Sequence, residues 1–108
     1  MVISVEHQNG IKQIEFEKQF SNLVKQWKDE TAGHSSVSKK LLNFSHLRII
    51  SMGEAVVPLI LHELKQSPDH WFVALKAITN ADPVSPNASF DQAVQEWLKW
   101  GYEKRDIF

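Results

Sequence analysis

The most constraining feature of this sequence is an uninterrupted apolar run, Ala55 to Leu61, that contains a proline. A helix over this run would be apolar on every side, so it has to lie at the centre of the fold. A strand is the competing interpretation, because three residues of the run are β-branched. Pro58 would remove a hydrogen bond from a central strand, however, and it fits the first turn of a helix. We therefore predict a central helix that starts near Pro58, after a break at Gly53.

A second helix is predicted directly after the first. Ser67 can cap it, Pro68 fits the first helical position, and Asp69 places negative charge in the first turn. Apolar residues then recur at helical spacing, at Trp71, Ala74, Leu75 and Ile78. The turn between the two helices is short, so we expect an antiparallel pair whose apolar sides pack on each other.

Four more segments carry helix signals. An amphipathic helix from about Lys12 to Thr31 has its apolar stripe at Phe16, Phe20, Leu23, Val24 and Trp27, and Gly33 suits its C-terminal end. A short helix capped by Ser35 or Ser36 carries Val37, Leu41 and Leu42, and a helix capped by Asn43 carries Phe44, Leu47 and Ile50. The last helix starts at Ser89, whose partner Gln92 completes a capping box.

Length and pattern together predict one all-α domain over residues 1–108, a bundle of five or six helices. Residues 1–11 alternate apolar and polar side chains before the turn signal Asn9-Gly10, which indicates a short strand or a loose arm. Since no second strand is predicted to pair with it, we expect a flexible end or one that pairs with another copy. Residues 102–108 form a mixed-charge tail that ends in Ile107-Phe108. A free apolar end of this kind is expected to dock against another surface.

Composition excludes several classes of function. The chain has no cysteine, which rules out thiolate catalysis, cysteine-based zinc fingers and iron–sulfur clusters and fits a cytoplasmic location. We see no signal peptide, and the longest apolar run is too short to span a bilayer, so no membrane is expected as a partner. A formal net charge of −1 and a pI near 6.5 argue against binding to nucleic acid through overall charge.

The histidines offer the nearest approach to catalytic chemistry. His62-Glu63 begins a zinc-protease pattern, but Gln66 stands where the second histidine is needed. His34, His46 and His70 have no spacing that predicts a shared site. Phosphate-binding loops, dinucleotide fingerprints and nucleophile elbows are absent from the sequence. We expect no metal or other cofactor and no enzyme activity, with a small histidine-based enzyme or metal protein as the alternative.

Two groups of residues are candidates for binding. Lys39, Lys40 and Arg48 make one stretch locally basic, and phosphate contact by a nucleic-acid-binding accessory protein is a second alternative. The second group is aromatic and apolar: Trp97 and Trp100 cannot both point inward on one helix. We expect a contact surface for a protein partner at Trp100, Tyr102, Ile107 and Phe108.

The segment from Met52 to Thr79 resembles HEAT-like helical repeats. The residues that carry this resemblance are Gly53, the Ala55-Val56-Val57-Pro58 helix start, and the Ala74-Leu75 pair of the second helix. It covers about a quarter of the chain, as one isolated hairpin, and Trp27 to Trp100 is also similar to small bacterial proteins. The resemblance implies a surface that binds proteins or nucleic acid without catalysis. We expect a protein-interaction module, such as a bacterial adaptor or the neutralising partner of a neighbouring gene product, with a homodimer as one form.

Overall fold

The computed structural model describes residues 2–33 and 36–107, and for residues 2–9 it describes the backbone alone. This part of the chain contains six α-helices and no strand, which confirms the all-α fold. The helices are α1 (Val2–Thr31), α2 (Val37–Leu41), α3 (Phe44–Ser51), α4 (Val57–Gln66), α5 (Phe72–Thr79) and α6 (Phe90–Arg105), with a short 3₁₀ helix, Glu54–Val56, before α4. His34, Ser35 and Phe108, which entered the sequence predictions, lie outside the described residues.

Helix α1 begins at Val2, ten residues before the predicted start. The strand expected near the N-terminus is therefore wrong, and α1 passes through Asn9 and Gly10 without a turn. A strand needs a neighbour to pair with, whereas a helix forms its backbone hydrogen bonds within its own segment. Among the described residues, no strand is present to act as that neighbour.

Contacts divide the chain into two units between Ile49 and Ile50. In the first unit α2 packs on the C-terminal part of α1. Among the residues of α1 whose side chains are described, none of residues 10–19 is buried, and Phe20 is the first that is. The buried apolar side chains of this unit are Phe20, Leu23, Val24, Trp27 and Ile49.

In the second unit α4 packs on both α5 and α6. Gly53, with φ of +81°, breaks the chain before the 3₁₀ helix, and Pro58 lies in the first turn of α4. Four side chains of α4 are buried, and so are Trp71 and Trp97 on either side of it. The prediction of a central apolar helix that starts near Pro58 is confirmed.

Helix α5 begins at Phe72, and the predicted start at Ser67 is wrong. Ser67 is the C-terminal capping residue of α4, with φ −143° and ψ 78°, and its N–H donates to the Glu63 carbonyl. A residue before proline is sterically disfavoured in the helical region, so Pro68 ends α4 instead of opening α5. The backbone N–H of Trp71 donates to the carbonyl of Asp69, which closes the turn.

Within the described ranges, no single helix is both long and apolar enough to cross a membrane. Taken together, Phe44–Ser51 and Glu54–Gln66 meet the length and composition criteria, but the two segments are bent against each other by 104°.

Candidate functional site

The two most exposed large apolar side chains among the described residues lie where α2 ends and α3 begins. Leu42 is 73% exposed and Phe44 is 81% exposed, and Val37 and Leu47 beside them in sequence are exposed as well. We call these four residues, together with Lys39 and Arg48, the α2–α3 surface. The sequence predicted short helices that carry Leu42 and Phe44 but did not predict that these two side chains are exposed. Helix α2 buries no residue at all.

Trp27 anchors the chain on one side of this surface. Its indole is fully buried, and its Nε1 donates a hydrogen bond of 2.9 Å to the carbonyl oxygen of Lys40. Lys40 is the penultimate residue of α2, whose last carbonyls have no partner within the helix. The bond therefore satisfies an orphan carbonyl and fixes the backbone two residues before Leu42.

Asn43 and Glu30 anchor the other side. Asn43 caps α3, because its Oδ1 accepts hydrogen bonds from the N–H of Ser45 at 2.8 Å and of His46 at 3.3 Å. Glu30, near the end of α1, accepts from Asn43 Nδ2 at 3.1 Å and from Ser45 Oγ at 2.9 Å, both on Oε1. These bonds connect the start of α3 to α1 directly before and after Phe44.

The pKa of the Glu30 carboxyl is lowered from its ordinary value of 4.5 by these contacts. The hydrogen bond from Ser45 has the largest effect, followed by those from Asn43 and Gln26. Each donor stabilises the charged carboxylate more than the protonated acid. The anchor is therefore strongest when Glu30 is ionised.

The inward side of α3 explains why Phe44 faces solvent. Ser45, His46 and Ile49 are the buried residues of this helix. The His46 ring lies 5.0 Å from the Trp27 ring, tilted by 43°. With these residues turned inward, Phe44, Leu47 and Arg48 are left on the outer side of the helix. The apolar residues Phe44 and Leu47 therefore lie on the exposed side of α3.

The α2–α3 surface is locally basic. From Thr31 to Gly53 the sequence holds Lys39, Lys40 and Arg48 and no acidic residue, although the whole chain has 12 basic and 13 acidic residues. Lys39 and Arg48 are exposed, and Lys40 is half-buried. The structure therefore places the three predicted basic residues on the same two helices as the exposed apolar side chains.

The predicted contact surface near the C-terminus is only partly exposed. Trp100 is half-buried, with its ring 5.3 Å from that of Trp97 and 5.1 Å from the guanidinium carbon of Arg105. Tyr102 is 65% exposed, whereas Ile107 is 8% exposed and buried. Ile107 is therefore not available to a partner in this conformation, and Phe108 lies outside the described residues.

Two open cavities lie along α6 and the loop before it. One of about 280 Å³ is lined by Pro83, Glu96, Lys99, Trp100, Glu103 and Lys104. The other, of about 490 Å³, is lined by Ser85, Asn87, Ala88, Asp91, Gln92, Gln95 and Glu96. Glu96 lines both and accepts two hydrogen bonds of 2.9 Å from Ser85. The Glu96 carboxylate between the two cavities is therefore already held by Ser85.

Three histidines, His46, His62 and His70, have side chains that the structure describes. His46 is fully buried, His62 is exposed, and His70 lies with its ring 5.8 Å from that of Phe90. Over the described ranges, no group of three or more histidine or carboxylate side chains is placed to hold a metal ion. The metal-protein alternative thus gains no support from this part of the chain.

Two features escaped the sequence interpretation for different reasons. The exposure of Leu42 and Phe44 had a signal, because Asn43 between them is a cap and a cap marks a change of direction. The contact of Glu30 with Ser45 had no such signal in the sequence, since the two residues are far apart and no local pattern pairs them.

Comparisons with protein-family models, curated proteins and solved structures found no match to this chain.

Proposed function

We propose that this protein is a noncatalytic protein-interaction module that binds its partner through the α2–α3 surface. The observation that carries the proposal is the exposure of Leu42 and Phe44 between two anchored backbone segments. Contiguous apolar side chains in solvent are a mark of interaction sites. Burying one such side chain contributes about 1.5–3 kcal/mol, so a partner that covers both gains substantial affinity.

The anchors support this function because they reduce the entropic cost of binding. A flexible loop must be ordered when a partner binds, and that cost is subtracted from the affinity. Here the carbonyl of Lys40 is held by Trp27, and Asn43 and Ser45 are held by Glu30. The backbone that carries Leu42 and Phe44 is therefore already in place before the partner arrives.

A double variant, Leu42→Ser with Phe44→Ser, tests the proposal. Both side chains are exposed, so we expect the free energy of unfolding to change by no more than about 0.5 kcal/mol each. We expect capture of a stoichiometric partner from lysate of the native cells to be lost. Self-association belongs in the same experiment, measured by light scattering, because a second copy is one possible partner.

Ile14→Ser is the matched control, since Ile14 is 66% exposed on α1 and lies outside the proposed surface. It should leave both stability and capture unchanged. If the double variant retains the partner, or if Ile14→Ser loses it equally, the assignment of the α2–α3 surface is wrong.

A further inference from the structure

The end of α6 is tied to a residue 51 positions earlier in the chain. Arg105, the last residue of α6, donates from Nη1 to Oε2 of Glu54 at 2.6 Å, and Glu54 is the first residue of the 3₁₀ helix before α4. We propose that residues 105–107 form a conformational latch, which Arg105 holds closed and whose release exposes Trp100 and Ile107 together. The latch lies outside the α2–α3 surface and is independent of the proposed function.

The closed state is defined by the way the chain leaves α6. Asp106 adopts a left-handed conformation, with φ 53° and ψ 38°, which reverses the chain at the end of the helix. The N–H of Ile107 then donates to the carbonyl of Gly101 at 3.1 Å, and the Ile107 side chain is buried. The segment therefore folds back on the helix from which it emerges.

Arg105 also joins this segment to Trp100. Its guanidinium carbon lies 5.1 Å from the centre of the Trp100 ring, within the range of a cation–π contact. One side chain thus contacts both Glu54 and Trp100, directly before the chain reverses. When the contact with Glu54 is lost, the Trp100 contact is left to hold the Arg105 side chain on its own.

The contacts of Arg105 are weak compared with the packing of the helices. In the Arg105–Glu54 pair, 34% of the first side chain and 56% of the second are exposed. Exposed ion pairs and exposed cation–π contacts each contribute little to stability. In contrast, α4 packs on α6 with Leu64 and Trp97 of these helices fully buried. The latch therefore opens locally, at a lower cost than unfolding of the helices.

Opening changes which apolar side chains meet solvent. In the closed state Tyr102 is exposed, Trp100 is half-buried against Trp97, and Ile107 is buried. Departure of Arg105 uncovers the Trp100 ring, and departure of the chain beyond it uncovers Ile107. Trp100, Tyr102 and Ile107 were expected from the sequence to form one surface, and these three are exposed together in the open state alone.

The lack of cysteine in the chain allows a direct assay of opening. Ile107→Cys introduces a single thiol, and its rate of labelling by a neutral maleimide reports how often position 107 meets solvent. Adding Glu54→Gln should speed labelling about threefold to tenfold, because an exposed ion pair and the contact that depends on it are weakened. Sodium chloride should speed labelling before Glu54→Gln is added and have little effect afterwards, since salt screens the ion pair.

Asp82→Asn is the matched control. It removes the Lys76–Asp82 ion pair, which spans 3.3 Å in the same unit and is also exposed, and it should leave labelling at position 107 unchanged. Urea denaturation of each variant gives the free energy of unfolding and separates local opening from global unfolding. Hydrogen exchange of the Ile107 amide, which donates to Gly101, measures the same opening without a substitution at position 107.

Faster labelling and faster amide exchange at position 107 in Glu54→Gln, with the free energy of unfolding unchanged, support the latch. Rates equal to those of the parent chain overturn it. So does a rise that merely follows a lower free energy of unfolding, or an equal rise in Asp82→Asn. Each of these results leaves the assignment of Leu42 and Phe44 untouched.

Discussion

Trp27 links the core of the first unit to the α2–α3 surface. Its ring is fully buried and in contact with His46, while its Nε1 reaches the carbonyl of Lys40. A tryptophan can do both because its large apolar body carries one polar atom at the edge. The packing part of this role follows from helical spacing in the sequence, whereas the hydrogen bond depends on where α2 returns to α1.

Trp27→Phe separates the two parts of that role. The smaller ring keeps most of the packing but removes the N–H donor and leaves the Lys40 carbonyl without this partner. We expect the free energy of unfolding to fall by about 1–3 kcal/mol, measured by urea denaturation, and affinity for the partner to fall as well. An unchanged urea midpoint would show that the hydrogen bond does not anchor α2.

Glu30 predicts a pH dependence of stability. Its folded pKa is lowered below 4.5, so its stabilising contribution is present above the unfolded value and is lost as the pH falls through the folded pKa. Between pH 7 and acid, wild type should lose more stability than Glu30→Gln, whose side chain does not titrate. Thermal melting of the two proteins across this range is the measurement. Parallel stability curves for the two proteins would contradict this role of Glu30.

At the scale of single residues, burial could be predicted for those that repeat at helical spacing. Trp27 and Trp71 were expected in the core and are fully buried, and Trp97 is buried while Trp100 is half-exposed. The exposure of Leu42 and Phe44 was not predicted, because an apolar pattern alone does not distinguish side chains of a core from side chains on an exposed surface.

Several helices begin at residues whose side chains cap the helix. Ser36, Asn43 and Ser89 act as the caps that the sequence indicated, and Gln92 completes the capping box of α6. The errors concern α1, whose early start has no cap signal among the described residues, and α5. For α5, two signals coincided at Ser67-Pro68, since a serine before proline can open one helix or close another. The structure shows that this pair closes α4.

The break before α4 depends on the backbone freedom of Gly53. Its φ is +81°, and an added Cβ would meet no atom within 4 Å, so only backbone strain opposes a side chain there. We expect Gly53→Ala to lower the free energy of unfolding by about 1–2 kcal/mol. Chemical denaturation measures this change.

Gly10→Ala is the matched substitution, because Gly10 lies inside α1 and also has open space around its Cα. Alanine is favoured over glycine in a helix by about 0.5–1 kcal/mol, so this variant should be stabilised or show increased helicity by circular dichroism. If Gly10→Ala lost stability and Gly53→Ala did not, the helical position of Gly10 and the strained backbone of Gly53 would both be contradicted.

For the molecule as a whole, the fold class could be predicted and the exposed apolar residues of the α2–α3 surface could not. Apolar periodicity, caps and the position of Pro58 are properties of neighbouring residues, and together they define an all-α protein. The α2–α3 surface arises instead from contacts between α1 and residues 10 or more positions further along the chain, such as Trp27 with Lys40 and Glu30 with Ser45. The HEAT-like character of α4 and α5 stays a prediction.

Site-specific photo-crosslinking in the native cells tests the central claim most directly. A benzophenone amino acid is placed at Phe44 and, in a separate protein, at Ile14, which has comparable exposure on α1. Our account predicts one discrete adduct from position 44, or a crosslinked dimer of the chain, and no such adduct from position 14. The absence of any adduct at position 44, or the same adducts from both positions, would contradict it.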